Sequence, residues 1–96
     1  MTVPKQLNEL GCDLEEIAYF VSPNYDSAFV GVSVDGRVIY DFELMAEYLM
    51  KEEDMDYEEA VDFIQYNTIR SLPYIENSPI IIQSCKYDLS SAEQNY

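Results

Sequence analysis

Apolar residues along this chain switch between helical and alternating spacing, and the switches mark its elements. Residues 3–10 predict a short helix, with Thr2 placed to cap it, Pro4 in its first turn and Gly11 beyond its end. Asp13 and Glu16 stand in the capping-box arrangement and predict a second short helix through "LEEIAYFV". That helix ends near Ser22, since Pro23 has no amide hydrogen to continue it. After the turn residues of "SPNYDS", alternation takes over in two β-prone runs around Asp35-Gly36, the strongest hairpin signal in the chain. A two-residue turn there sets Val34 opposite Arg37, Val32 opposite Ile39 and Val30 opposite Asp41. It places Val30, Val32, Val34 and Ile39 on the core face. Phe29, Val38, Tyr40 and Phe42 fall on the other face, which is apolar enough to need cover from the N-terminal helices.

Helical spacing returns at about residues 42–53, with Asp41 as cap. Leu44, Met45, Tyr48 and Leu49 lie on one side of this helix, and Glu43, Glu47 and Lys51 on the other. A further helix starts after Asp56, which forms a capping box with Glu59, while Met55 and Ala60 make its hydrophobic staple. Its buried stripe is expected to be Tyr57, Ala60, Val61, Ile64 and Thr68, and the two helices to pack as an αα-hairpin. In "YNTIRSLPY", Leu72 and Tyr74 flank Pro73 in a stiff turn expected to plug the base of the core. Ile80, Ile81 and Ile82 predict a returning third strand after Pro79. The fold class is therefore α+β, with short N-terminal helices, a β-hairpin, an αα-hairpin and a third strand in a small antiparallel sheet. Residues 1–85 are expected to form one compact domain and residues 86–96 a flexible tail.

Composition removes many functions. The chain has 96 residues, no histidine and only three glycines, none of them clustered. Serine or cysteine nucleophiles thus have no histidine to activate them, and no glycine loop exists to cradle phosphate. Cys12 and Cys85 form no CxxC pair and supply too few soft ligands for zinc, so they read as reduced thiols. The expectation is a non-enzyme with no cofactor and no metal. The N-terminus lacks the apolar core of a secretion signal and no run approaches membrane-spanning length, so a cytoplasmic protein is expected. Net charge is the outlier, at -14. It opposes direct nucleic-acid and anionic-membrane binding and favours a protein partner with a basic surface.

The charge concentrates in "KEEDMDYEEA", residues 51–60, where six of ten positions are acids. Asp54, Asp56 and Glu58 alternate like the first ligands of an EF-hand loop, but the required glycine and the closing glutamate are missing. Asp56, Glu58 and Glu59 suit the positive end of the helix that follows. Glu52, Glu53 and Asp54 crowd the negative end of the helix before, each unfavourable by roughly 0.3–1 kcal/mol. From Asp41 to Asp62 the chain carries ten acids and one base. Such a run is either an ordinary solvated helix face or an array of carboxylates standing in for nucleic-acid phosphate. The second reading assigns binding to Glu52, Glu53, Asp54, Asp56, Glu58, Glu59 and Asp62. Phe63, Tyr66 and Arg70 share another side of the same helix and form a second candidate patch, unless they simply pack inward.

"DGRVIYDFELMAEYLM" followed by "EEAVDFIQYNTIRSLPY" resembles small acidic hypothetical proteins of phages, prophages and mobile elements of Gram-positive bacteria. The resemblance covers about residues 28–83 and rests on Asp35-Gly36, the Tyr40-Asp41 step and Asn67 to Tyr74. That group has no established activity and implies no catalytic residues. What it implies is a mobile-element origin, and with it an inhibitor of a host nucleic-acid-binding or defence enzyme. The alternative is an accessory interaction module that uses an apolar-aromatic surface or associates with its own copies through the sheet edge.

Overall fold

The computed structural model describes residues 2–83, so Cys85 and the tail expected at 86–96 lie outside the described residues. Helix α1 spans Val3–Glu9, and the Thr2 side chain accepts from Lys5 N–H as expected. It closes with Gly11 at φ +83° while Cys12 N–H reaches the Leu7 carbonyl at 3.0 Å. That geometry is the Schellman stop, which a glycine adopts at least cost. The second N-terminal helix does not form. Asp13 caps only a single turn, accepting from Glu15 N–H at 2.9 Å, and residues 18–22 contain no helix. One short turn cannot repay helix nucleation, whereas the non-helical path carries Phe20 onto the Tyr25 and Tyr40 rings.

Strands β1 (Phe29–Val32) and β2 (Val38–Asp41) form the expected hairpin, but one residue out of the expected register. Ser33 N–H bonds the Arg37 carbonyl at 2.7 Å and Gly36 sits at φ +85°, so the loop holds Val34, Asp35 and Gly36. Val32 consequently faces Val38, and an irregularity between Phe29 and Gly31 sets Phe29 opposite Tyr40. A one-residue slip changes which residues of the two strands share a face. Val30 and Val34 are exposed while Val38, Tyr40 and Phe42 are buried, against the predicted faces, but Val32 packs against the core as expected, now opposite Val38. The expected cover is present: Val3 and Leu7 of α1 join the same core, with Phe20 packed against it.

Helix α2 (Phe42–Glu52) begins at the Asp41 cap, whose side chain accepts from Leu44 N–H at 3.2 Å. Helix α3 (Tyr57–Phe63) begins with the complete Asp56–Glu59 capping box. Its stripe is buried at Ala60, Ile64 and Thr68 and half-buried at Val61, but Tyr57 is exposed and donates instead to Glu43 on α2 at 2.8 Å. The predicted α-helix also stops early. Residues Ile64–Thr68 form a π-helical turn, and Ile69–Tyr74 a 3₁₀ segment containing Pro73. Pro73 would clash with the Ile69 carbonyl in an α-helix, which accounts for the 3₁₀ winding of Ile69–Tyr74. No residue of that segment is fully buried and Tyr74 is 89% exposed, so it does not plug the core.

Strand β3 (Ile80–Ile82) pairs with β2 in parallel, giving a mixed sheet in the order β1-β2-β3. An antiparallel third strand was expected, but residues 42–79 run out and back as a helical crossover, which delivers the chain to the start of β2. Arg37 fixes that return, donating to the Ser78 carbonyl at 2.7 Å and to its hydroxyl at 3.2 Å. The molecule is thus a small α+β fold with β2 at its centre.

Candidate functional site

All seven acids of the predicted face are exposed, and they follow one another around the reversal from α2 into α3. Glu52 ends α2 and Glu53 caps it. Asp54 occupies the left-handed region at φ +58°, and Met55 N–H turns back to the Leu49 carbonyl at 3.5 Å. Asp54 therefore has a conformational reason to be there, since Asn and Asp are the residues that tolerate this backbone best after glycine. Glu52 and Glu53 have none. Asp56 and Glu59 are partly engaged by each other's backbone amides in the capping box. Glu58, Glu59 and Asp62 stand at i,i+4 and i,i+3 spacing on α3, where like charges cost about 0.2–0.5 kcal/mol per pair.

The Asp54 geometry makes a prediction. Asp54→Gly relieves the left-handed penalty and removes an acid from the negative helix end, against the extra chain entropy of glycine. The expected net gain is about 1 kcal/mol, or roughly 4–8 °C in Tm for a domain of this size. Asp54→Asn, which keeps the backbone tolerance and loses the charge, should gain a smaller part. Thermal unfolding followed by circular dichroism measures both, and an unchanged Tm for Asp54→Gly contradicts the account.

The second predicted patch divides. Phe63 is half-buried against the core, whereas Tyr66 is 64% exposed and Arg70 is also exposed. A cleft of about 340 Å³ is lined by Met55, Glu59, Asp62, Phe63, Tyr66 and Asn67. Two residues of the acidic face and two of the aromatic patch thus share one depression, while Arg70 lies outside its lining. Met55 and Asn67 were not expected at a site. The signal for the rest is the i, i+3, i+4, i+7 spacing of Glu59, Asp62, Phe63 and Tyr66, a helical face of mixed chemistry.

The hydrogen bond from Tyr57 to Glu43 ties α3 to α2 across the hairpin and pushes the Tyr57 phenol above its ordinary range, mainly because ionisation would forfeit that bond. Among the described residues no group of three or more His, Cys, Asp or Glu is arranged to hold a metal ion. No helix of those residues is long and apolar enough to cross a membrane. Set beside protein-family models, curated proteins and solved structures, the chain matches none of them.

Proposed function

We propose that this protein is a non-enzymatic binding protein that presents the carboxylates of the α2–α3 reversal to a basic surface on a partner. The resemblance to mobile-element proteins extends the proposal to an inhibitor of a host nucleic-acid-binding or defence enzyme, with these carboxylates occupying the groove that phosphate would fill. The observation that carries it is the exposure of Glu52, Glu53, Asp54, Asp56, Glu58, Glu59 and Asp62 on one helical hairpin. Two of these acids, Glu52 and Glu53, stand at the helix end where they are unfavourable. A charge placed against its local preference is more readily understood as serving a contact than as serving the fold.

The test is capture of partners from host lysate by the native protein and by a variant carrying Glu52→Gln, Glu53→Gln and Asp54→Asn. Capture by the native chain should fall on the order of tenfold or more between low and high salt, because exposed charges are screened. The triple variant should lose the salt-sensitive partner. Recovery of the same partners in the same amounts by both proteins, at either salt, defeats the proposal.

A second reading draws on β1, which lies at the edge of the sheet with Val30 at 52% exposure and Val34 fully exposed beyond it. Association of two copies through that edge would bury apolar surface and would strengthen, not weaken, as salt screens their mutual repulsion. The sign of the salt dependence therefore separates the two readings.

A further inference from the structure

The shallow, open depression on α3 combines apolar and acidic lining residues. Met55 and Phe63 are half-buried and packed against the core, so they form a fixed apolar base. The Tyr66 ring is largely exposed beside them, and Glu59 and Asp62 stand at the rim. The depression, about 340 Å³, is largely open to solvent and suits one side chain lying across it more than an enclosed metabolite. An aromatic face next to carboxylates attracts a cation with an apolar stem. The cleft lining contains no positive side chain to oppose one.

Resting on the proposed reading of a basic partner, we infer that this cleft seats one arginine side chain of that partner. Its guanidinium stacks on Tyr66 and its N–H groups turn to Glu59 and Asp62. Arginine fits better than lysine because its planar, weakly hydrated group can stack and donate to two carboxylates at once, whereas an ammonium remains strongly hydrated. The Glu59 Oε1 atom already accepts from Asp56 N–H at 3.3 Å, but a carboxylate takes several such bonds and keeps capacity for an incoming donor. The surrounding acids of the α2–α3 reversal steer the partner, and the cleft gives it a register.

Two glycine-spaced peptides of equal charge test this, one carrying a single central arginine between flanking lysines, the other lysine throughout. Each is titrated into the isotopically labelled full chain at low salt and followed by backbone amide shifts. The arginine peptide should bind at least about threefold more tightly, with shifts centred on Met55, Phe63, Tyr66 and Asn67. Tyr66→Ala should erase that preference, while Tyr74→Ala, an exposed aromatic outside the cleft, should leave it intact; the amide spectra confirm that both variants are folded. Equal affinity for the two peptides, or a preference that survives Tyr66→Ala, overturns the arginine seat and leaves the acidic-face proposal standing. Failure of both peptides to bind at low salt overturns both.

Discussion

Tyr40→Ala is expected to remove a large share of the domain's stability. Tyr40 lies on the central strand with no exposed surface, and its ring meets Phe20 at 4.8 Å, Tyr25 at 6.4 Å and Phe29 at 6.5 Å between centroids. Its hydroxyl oxygen also accepts from Phe20 N–H at 3.0 Å, the bond that holds the non-helical N-terminal segment against the sheet. Truncating a buried aromatic costs about 3–5 kcal/mol, a large share of the roughly 5–15 kcal/mol that stabilises an ordinary domain. Tyr40→Phe keeps the ring and strands the Phe20 amide, which should cost about 1–3 kcal/mol. Urea unfolding monitored by circular dichroism gives both values. Tyr74→Phe, at an 89% exposed position, serves as the control and should be neutral. If Tyr40→Phe also proves neutral, the hydroxyl does not organise the N-terminal segment.

Tyr40 also illustrates what could be read from the sequence and what could not. Capping residues act within a few positions of themselves, so Thr2, Asp41 and the Asp56–Glu59 box are legible, and the structure has all three. Hairpin register depends on whether Asp35-Gly36 is the whole turn or the end of a longer loop, and the dipeptide is compatible with both. The decision falls to the residue that flanks the turn, Ser33. Ser33 accepts from Arg37 N–H at 3.0 Å and its hydroxyl donates to Asp35, which favours the three-residue loop. The longer loop moves Val38, Tyr40 and Phe42 to the core and leaves Val30 and Val34 exposed, while Val32 stays on the core side. The clue against the shorter turn was the crowded apolar face of Phe29, Val38, Tyr40 and Phe42, which is heavier than the face assigned to the core. Likewise, the direction of β3 is set by where the helical crossover delivers the chain, a property of residues 42–79 taken together.

At the candidate site the acidic face was legible because charge needs no tertiary information, and every predicted acid is exposed. The depression was not. It requires Met55, which reads locally as a staple, to remain beside Phe63 and Tyr66 after the winding changes at Ile64. Helical extrapolation put Arg70 with Phe63 and Tyr66, but the π-helical turn at Ile64–Thr68 and the 3₁₀ segment after it break that spacing. Asp54 shows the converse. Its positive φ gives a backbone reason for Asp or Asn at this position, a reason that Glu52 and Glu53 lack.

Alkaline pH should weaken the fold through Tyr40 and Tyr25. Burial pushes the Tyr40 phenol up to about 12, despite its favourable bond to Phe20. Burial also raises Tyr25, partly offset by its hydrogen bond with Thr68. In the unfolded chain both phenols ionise near their ordinary value of about 10. Between these limits the unfolded state releases protons that the folded state retains, so stability is complete below pH 10 and falls as pH rises toward 12. Unfolding free energies measured by urea at intervals across this window should decline with a slope that reports the proton difference directly. Tyr40→Phe removes one such group. The variant begins less stable at neutral pH, yet its decline should be shallower by up to one proton. The remaining titrating groups, lysines included, are common to both proteins and cancel in the comparison. Equal slopes for the two proteins would mean that Tyr40 ionises in the folded state as readily as in water, which a fully buried central-strand phenol cannot do without opening the core.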